Sequence, residues 1–316
     1  MKIKCKILLV AKPWRGGLAN YVFRALEMLY PGEVFWLESH PRTLAQKATF
    51  LMDRAAWDRN LVETINSSEY KAAIFINTRP SFVELIPREN NIVWLTDSPN
   101  LGADMLSRFG PIYVSDIGYA DNVTAASQPG QFAGELGFAC DPTIHKPVTS
   151  LSSRKKGICF VGNRDKKRDI YLDHLLRENV DTKIIGNYFF NSNLFWQHPS
   201  CFRPAVNFSR MGSIYSRHQL SLNIHAKVVL NGTNMRTFEA AGYNIAQLVE
   251  YRPGIERFFE PGKEIEVFSS PEELVEKGKR LLADSDHMTA LADAAAKRTT
   301  EHTYVNRVKT MLAGVL

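Results

Sequence analysis

Nowhere in the 316-residue chain does an apolar run approach the ~18 residues that cross a bilayer as a helix, so no membrane span is expected. The amino-terminal stretch MKIKCKILLVAKPW has lysines and a short apolar core, but it lacks an adequate signal-peptide core and a small-residue cleavage site. It reads as a first buried strand. Cysteine is scarce: Cys5, Cys140, Cys159 and Cys201 are scattered, with neither metal-like spacing nor a disulfide framework. A reducing, cytoplasmic setting is the expectation.

Acidic residues are missing from one long stretch. None occurs between Asp181 and Glu239, where Lys183, Arg203, Arg210, Arg217, Lys227 and Arg236 all lie. Over residues 1–150 Lys and Arg number 15 against 15 Asp and Glu; over 151–316 they number 24 against 18, so the net +6 falls wholly in the second half. A solvated surface would intersperse the signs, which points to a bound anion, either a nucleotide diphosphate or a nucleic-acid backbone. The plainer alternative is a basic loop.

What is present is an ordinary globular composition, 45% hydrophobic and 23% charged, in a chain long enough for two domains. Short apolar β-runs alternate with helical patterns. KCKILLVA, EVFWLE, KAAIFIN, NIVWLT, PIYVSD and GELGFA are the strand-like runs of the first half, with helical patterns after KPWRGG and over 43–66. After the Pro/Ser/Lys-rich linker near 142–156 come GICFVG, a helix over 166–178, TKIIG, an irregular stretch 187–212, a helical 213–218, LSLNIH, a helix over 234–242, NIAQLVE and EIEVFS. Helical patterns over 271–283, 286–299 and 302–313 finish the chain. This order predicts an α/β protein of two doubly wound parallel-sheet domains, residues 1–145 and 146–301, with the amphipathic helix 302–316 packing back on the first. Open parallel sheets take ligands at the carboxyl ends of their strands, so a ligand is expected in a cleft between two facing sheets.

The segment NGTNMRTFEAAGYNIAQLVE, residues 231–250, carries the strongest local signal. Gly232, Thr233 and Asn234 supply a flexible lead-in and a capping side chain, and Gly242 suits the helix end. A helix N-terminus attracts anions, and Arg236 in that first turn is unfavourable unless an anion is present. Arg236 is therefore the candidate diphosphate clamp, and Glu239 can accept bonds from vicinal hydroxyls. A surface Arg–Glu pair at i,i+3 is the bland alternative. In VGNRDKKRD (161–169), Gly162 permits close backbone approach while Arg164 or Lys167 can reach a phosphate; a solvated basic helix turn explains the same residues. His225, ending a strand on the ligand side, is read as touching donor phosphates or sugar, with a core histidine as the alternative. Tyr188, Phe189, Phe190, Phe195 and Trp196 can stack on a base or sugar, though core filling suits most of them.

The stretch GTNMRTFEAAGYNIAQLVEYRPGIERFFEPGKEIEVFSSPEELVEKGKRLL resembles the C-terminal half of glycosyltransferases of the glycosyltransferase-B fold, and in particular their family 1 spore-maturation CgeB-like group. The matching residues are Asn223, His225, Arg236, Phe238, Glu239, Ala240, Gly242, Gly262, Lys263 and Glu264, and the likeness covers roughly 132–312. It implies two Rossmann-like domains and a nucleotide-sugar donor, a UDP-sugar first, with no permanently bound cofactor. It also implies that Glu239 holds the nucleotide ribose. Many retaining members carry a second glutamate eight residues earlier, where this chain has Asn231, so retention of configuration does not follow from the resemblance.

In the first half, AKPWRGGLANY places Gly16 and Gly17 between strand and helix, where a backbone can approach a ligand. Asp97 in VWLTDSPN follows the fourth strand and is the first candidate for a general base near an acceptor hydroxyl; a turn or helix cap is its plain reading. His40, Asp116 and Glu135 also fall near strand ends. Metal use is not expected: DSD (284–286) lies between two helices and reads as capping. The expected activity is thus metal-independent transfer of a hexose or pentose to an acceptor hydroxyl of a glycan, small molecule or protein. Alternatives are a hydroxymethylpyrimidine base in DNA as acceptor, a sugar-nucleotide epimerase, or a non-catalytic nucleotide-sugar-binding protein.

Overall fold

The structure, a computed structural model, describes residues 2–13, 17–96, 102–147, 149–188, 192–207 and 210–316. It divides into two compact units, Met1–Gly137 with Tyr304–Leu316, and Phe138–Thr303. The division falls at Gly137 and not at residue 145, because the following residues are built into the second unit. Cys140 belongs to a core cluster with Phe238 and Ile255, and its amide donates to the His302 carbonyl at 2.9 Å.

The first unit contains β1 (Ile7–Ala11), α1 (Leu18–Leu29), β2 (Val34–Glu38), α2 (Leu44–Met52), α3 (Arg54–Ser67), β3 (Ala72–Ile76), β4 (Asn91–Leu95), α4 (Ala103–Leu106), β5 (Ile112–Val114), α5 (Ala120–Ala126) and β6 (Phe132–Glu135). Its six strands form one parallel sheet in the order β2-β1-β3-β4-β5-β6. Every residue of β1 and β4 is buried, as expected of parallel strands covered on both faces. On α1 the buried stripe is Ala19, Tyr21, Val22, Ala25 and Leu26. The helical pattern over 43–66 is interrupted at Asp53, whose backbone leaves the helical region at φ −145°. Its side chain accepts from the Ala56 amide at 2.8 Å, so one residue ends α2 and caps α3. The terminal helix Tyr304–Leu312 is part of this unit: Tyr304 stacks on Tyr21, ring centres 5.3 Å apart, and Arg307 Nε donates to the Gly137 carbonyl at 2.7 Å.

The second unit contains β7 (Lys155–Val161), α6 (Lys166–Arg177), β8 (Thr182–Ile185), α7 (Asn193–Gln197), β9 (Phe202–Arg203), α8 (Met211–Tyr215), β10 (His218–Asn223), α9 (Met235–Gly242), β11 (Ala246–Glu250), β12 (Glu266–Phe268), α10 (Pro271–Ala283) and α11 (Ser285–Arg298). Its parallel sheet runs β12-β11-β10-β7-β8-β9. Chain order goes outward from β7 through β8 to β9, then returns to the other side of β7 with β10. The connections of β7 and β10 therefore leave in opposite directions, and the carboxyl ends of these two strands flank a topological switch point. In the first unit the same reversal lies between β1 and β3. Among the described residues no helix is long and apolar enough to cross a membrane.

Candidate functional site

The switch point of the second unit gathers polar groups from four segments. After β10 the chain passes His225 and reaches the N-terminus of α9, where Asn234 is the cap: its Oδ1 accepts from the Arg236 amide at 3.0 Å. The same side chain exchanges two 2.9 Å hydrogen bonds with Asn223, whose Nδ2 also reaches Thr237 Oγ1 at 2.8 Å. Asn234 Nδ2 further donates to His225 Nδ1 at 3.2 Å. An amide nitrogen has only protons to offer, so Nδ1 is the acceptor and the neutral ring carries its proton on Nε2. That Nε2 is buried and has no hydrogen-bond partner among the described residues, in a side chain that is 0% exposed. Such an orphan donor is uncommon in a folded protein and calls for a partner.

The field around His225 is positive. Burial, followed by Arg252, Lys167 and Arg168, pushes its pKa down to about 3, so the ring is neutral at neutral pH. Glu250, at the end of β11, ties the cluster together. It accepts from the His225 amide at 2.9 Å, from Lys167 Nζ at 2.7 Å and pairs with Arg252 at 2.9 Å. Arg168, from the first turn of α6, donates through Nε to the Ile224 carbonyl at 3.0 Å and through a terminal nitrogen to the Asn163 carbonyl at 2.9 Å.

In the first turn of α9, Arg236 pairs with the carboxylate of Glu239, one turn further on. Glu239 is 1% exposed, so the pair is no surface i,i+3 contact, and its second neighbour is His145 Nε2 at 3.8 Å. Burial lowers the His145 pKa, which keeps that ring neutral, although Glu239 and Asp141 oppose the shift. Arg236, with a quarter of its side chain exposed, thus supplies the countercharge that makes a buried carboxylate tolerable.

The structure therefore brings together Asn234, Arg236, Glu239 and His225 of the residues singled out from the sequence. It does not bring Gly162 and Arg164 to them in the expected way. Arg164 is held by Asp169 at 2.8 Å on α6. A Cβ at Gly162 would meet the Phe160 ring at 2.8 Å, so the glycine answers an internal packing need. Gly242 is likewise not the left-handed helix end; Asn244 adopts that conformation at φ 51°. A Cβ at Gly242 would lie 2.8 Å from the Cβ of His145, which is why it is small. Asn231, at the position of the absent glutamate, accepts from the Gly254 amide through Oδ1 at 3.1 Å and fastens the segment after β10 to the loop after β11. Of the acid-free stretch, Lys183 pairs with Asp181 and Arg203 donates to the carbonyls of Ser200 and Phe202, so both serve local structure.

Tyr188 is fully buried and Phe195 packs against the core, while Trp196 is exposed; Phe189 and Phe190 lie outside the described residues. So do Gly16 and Asp97 of the first unit. Gly17 caps α1 in extended conformation. Asp116 caps a short 3-10 turn through the Gly118 amide at 2.8 Å, and Glu135 accepts from the Ile117 amide at 3.0 Å. Asp284 caps α11 through the His287 amide at 3.0 Å. Among the described residues no group of three or more His, Cys, Asp and Glu has a metal-holding arrangement.

Sequence reasoning missed Glu250, His145 and Arg168. Glu250 had a readable signal, an acidic residue closing an otherwise apolar parallel strand. His145 had none, since it comes from a segment that reads as linker.

Comparison with known proteins adds the following. Residues 167–313 match a family described as glycosyl transferase-like. An uncharacterized protein of Aquifex aeolicus (strain VF5) is 27% identical over 103 residues, 33% of this chain and 24% of that protein, so the matched stretch spans about a quarter of the relative. Among solved structures, Anabaena Alr3699/HepE in complex with UDP and glucose superposes with a TM-score of 0.71 at 12% identity over 98% of both chains. Sucrose-phosphate synthase of Thermosynechococcus elongatus gives 0.67 at 11% over 95% of both, and AviGT4, a glycosyltransferase involved in avilamycin A biosynthesis, 0.64 at 14% over 98% of both. At these identities the likeness shows the fold, that of two parallel six-stranded sheets found in glycosyltransferase-B enzymes.

Proposed function

We propose that the chain is a glycosyltransferase that takes a sugar from a nucleotide-sugar, a UDP-sugar, and passes it to an acceptor hydroxyl. The observation that carries this reading is the orphan Nε2–H of His225, held at the switch point beside the N-terminus of α9. A neutral donor, a helix N-terminus and Arg236 are three groups that suit the oxygens of one diphosphate. The His225 ring and the helix N-terminus are fixed before any ligand arrives, which is the condition for stabilising charge that develops on a departing nucleoside diphosphate. The positive charge of Arg236 and of the helix N-terminus would fill the role that a divalent ion has in other transferases. In this reading Arg236 swings from Glu239 to the diphosphate, and the uncovered Glu239 carboxylate receives the ribose hydroxyls. The match over residues 167–313 to a glycosyl transferase-like family supports the reading, and the R-x-F-E-A pattern of α9 resembles that of the CgeB-like group.

The test is binding of UDP and UDP-glucose to the full chain, alongside GDP-, TDP-, ADP- and CMP-sugars, by thermal shift and calorimetry. Ligand at 100 times its dissociation constant stabilises by about 2.7 kcal/mol, which raises the transition by several degrees. His225→Leu removes the donor while keeping an apolar-sized side chain, and should weaken UDP about 10- to 100-fold, the worth of one hydrogen bond to a charged group. If folded wild-type protein binds none of these nucleotides, or His225→Leu binds UDP as tightly as wild type, the reading is wrong.

A further inference from the structure

The first unit holds a cavity that the donor site does not use. It measures about 210 Å³, and Lys12, His40, Asn77, Thr78, Arg79 and Phe82 are among its lining residues. Its position follows from topology. Lys12 comes just after β1, His40 after β2, and Asn77, Thr78 and Arg79 after β3, so the cavity sits at the carboxyl ends of three adjacent strands. This is the switch point of the first sheet, where doubly wound folds take their ligands.

The lining has a definite chemistry. Arg79 is 6% exposed; its guanidinium is anchored by the Ser39 carbonyl and the Asp58 carboxylate, and its Nε is buried without a hydrogen-bond partner among the described residues. Lys12 adds a second cation at the wall. The charged groups acting on His40 are Arg79, Lys12 and Arg54, with Asp58 set against them. Asn77 is held in the left-handed region at φ 63°, with its Oδ1 accepting from the Thr96 amide at 2.7 Å and its Nδ2 donating to Thr96 Oγ1 at 3.0 Å. A non-glycine residue in that conformation marks a backbone that the surroundings hold in place. The volume is below that of a typical pocket for a whole drug-sized ligand, and suits one charged group with part of its carrier.

We propose that this cavity binds the anionic group of a small molecule, a phosphate or a carboxylate, and that the molecule is the acceptor of the transfer. The second clause rests on the transferase reading above; the first does not. Cations at the wall and a guanidinium N–H with no hydrogen-bond partner among the described residues are recognition groups for an oxyanion, which a neutral sugar ring does not match.

His40 is a reporter inside the site. Burial first, then Arg79 and Lys12, hold its pKa down to about 4. An anion seated among these cations reverses the local field, so the pKa must rise. The experiment is an imidazole NMR titration of the full chain with and without inorganic phosphate, the His40 signal being assigned by its loss in His40→Asn. Phosphate should raise the His40 pKa by about one pH unit or more. Lys12 is exposed, so Lys12→Gln should fold normally and weaken the phosphate response about 10-fold. Arg236→Ala should leave it unchanged, which separates this cavity from the α9 site. Acetate in place of phosphate distinguishes a carboxylate from a phosphoryl group. A His40 signal unmoved by a large excess of either anion, or moved equally in Lys12→Gln, overturns the proposal. A His40 response in a protein that binds no nucleotide keeps the anion site and overturns its assignment to an acceptor.

Discussion

Replacing Arg236 by methionine separates what α9 does for the fold from what it does for a ligand. Glu239 is 1% exposed, with Arg236 and, at 3.8 Å, His145 among its charged or chargeable neighbours. Removing one partner of a fully buried pair costs ~3–5 kcal/mol. A quarter of the Arg236 side chain is in solvent, so screening reduces this to about 2 kcal/mol. At roughly 2–4 °C per kcal/mol for a unit of this size, the unfolding transition of the second unit should fall by about 4–8 °C in Arg236→Met. Glu239→Gln takes away the buried charge and leaves Arg236 to solvent, so its cost should stay near 1 kcal/mol or below. The double variant should then be more stable than Arg236→Met alone. Scanning calorimetry of the four proteins gives the cycle. His145 gives a second readout, because Arg236 helps to lower its pKa while Glu239 raises it; the pKa should rise in Arg236→Met. Additive losses across the cycle, or a His145 titration identical in wild type and Arg236→Met, would refute the countercharge role. UDP binding measured on the same proteins then reports on the ligand, since Glu239→Gln should lose affinity with little loss of stability.

Gly242→Ala should destabilise the second unit by about 1–3 kcal/mol, because the new methyl would lie 2.8 Å from the His145 Cβ and 3.1 Å from its carbonyl oxygen; a denaturant midpoint at or above wild type would show that helix propensity outweighs this contact. His225 should make stability depend on pH. Its folded pKa of about 3 lies below the ~6.5 of an unfolded imidazole, so the unfolded chain binds the extra proton between these values. The contribution is complete above about pH 6.5 and is lost as pH falls towards 3, with about 2 kcal/mol gone by pH 5. Urea unfolding of wild type and His225→Asn at both ends of that window checks it, and equal slopes in the two proteins would refute it.

The fold was legible because parallel strands buried on both faces leave unbroken apolar runs, and ILLVA, AAIFI, NIVWL and AQLVE each became a strand. The N-terminus of α9 was legible for an equally local reason: Asn234 is a capping residue, and Arg236 is out of place in a first helical turn without an anion. What could not be read locally is which anion. Within the chain it is Glu239, a residue three positions away that spacing alone allows to be either surface or core. Burial decides between these, and the burial of Glu239 comes in part from residues 138–145, which fold over α9 and demand the small Gly242 beneath them. The same limit explains Arg164 and Arg168. Four positions apart on one basic turn, they are indistinguishable in composition, yet α6 turns Arg168 towards the Ile224 carbonyl and leaves Arg164 to Asp169. Local patterns name the turn that faces a site. The rotation of the helix on its sheet, set by Leu172, Leu175 and Leu176 in the core, selects the side chain that reaches it.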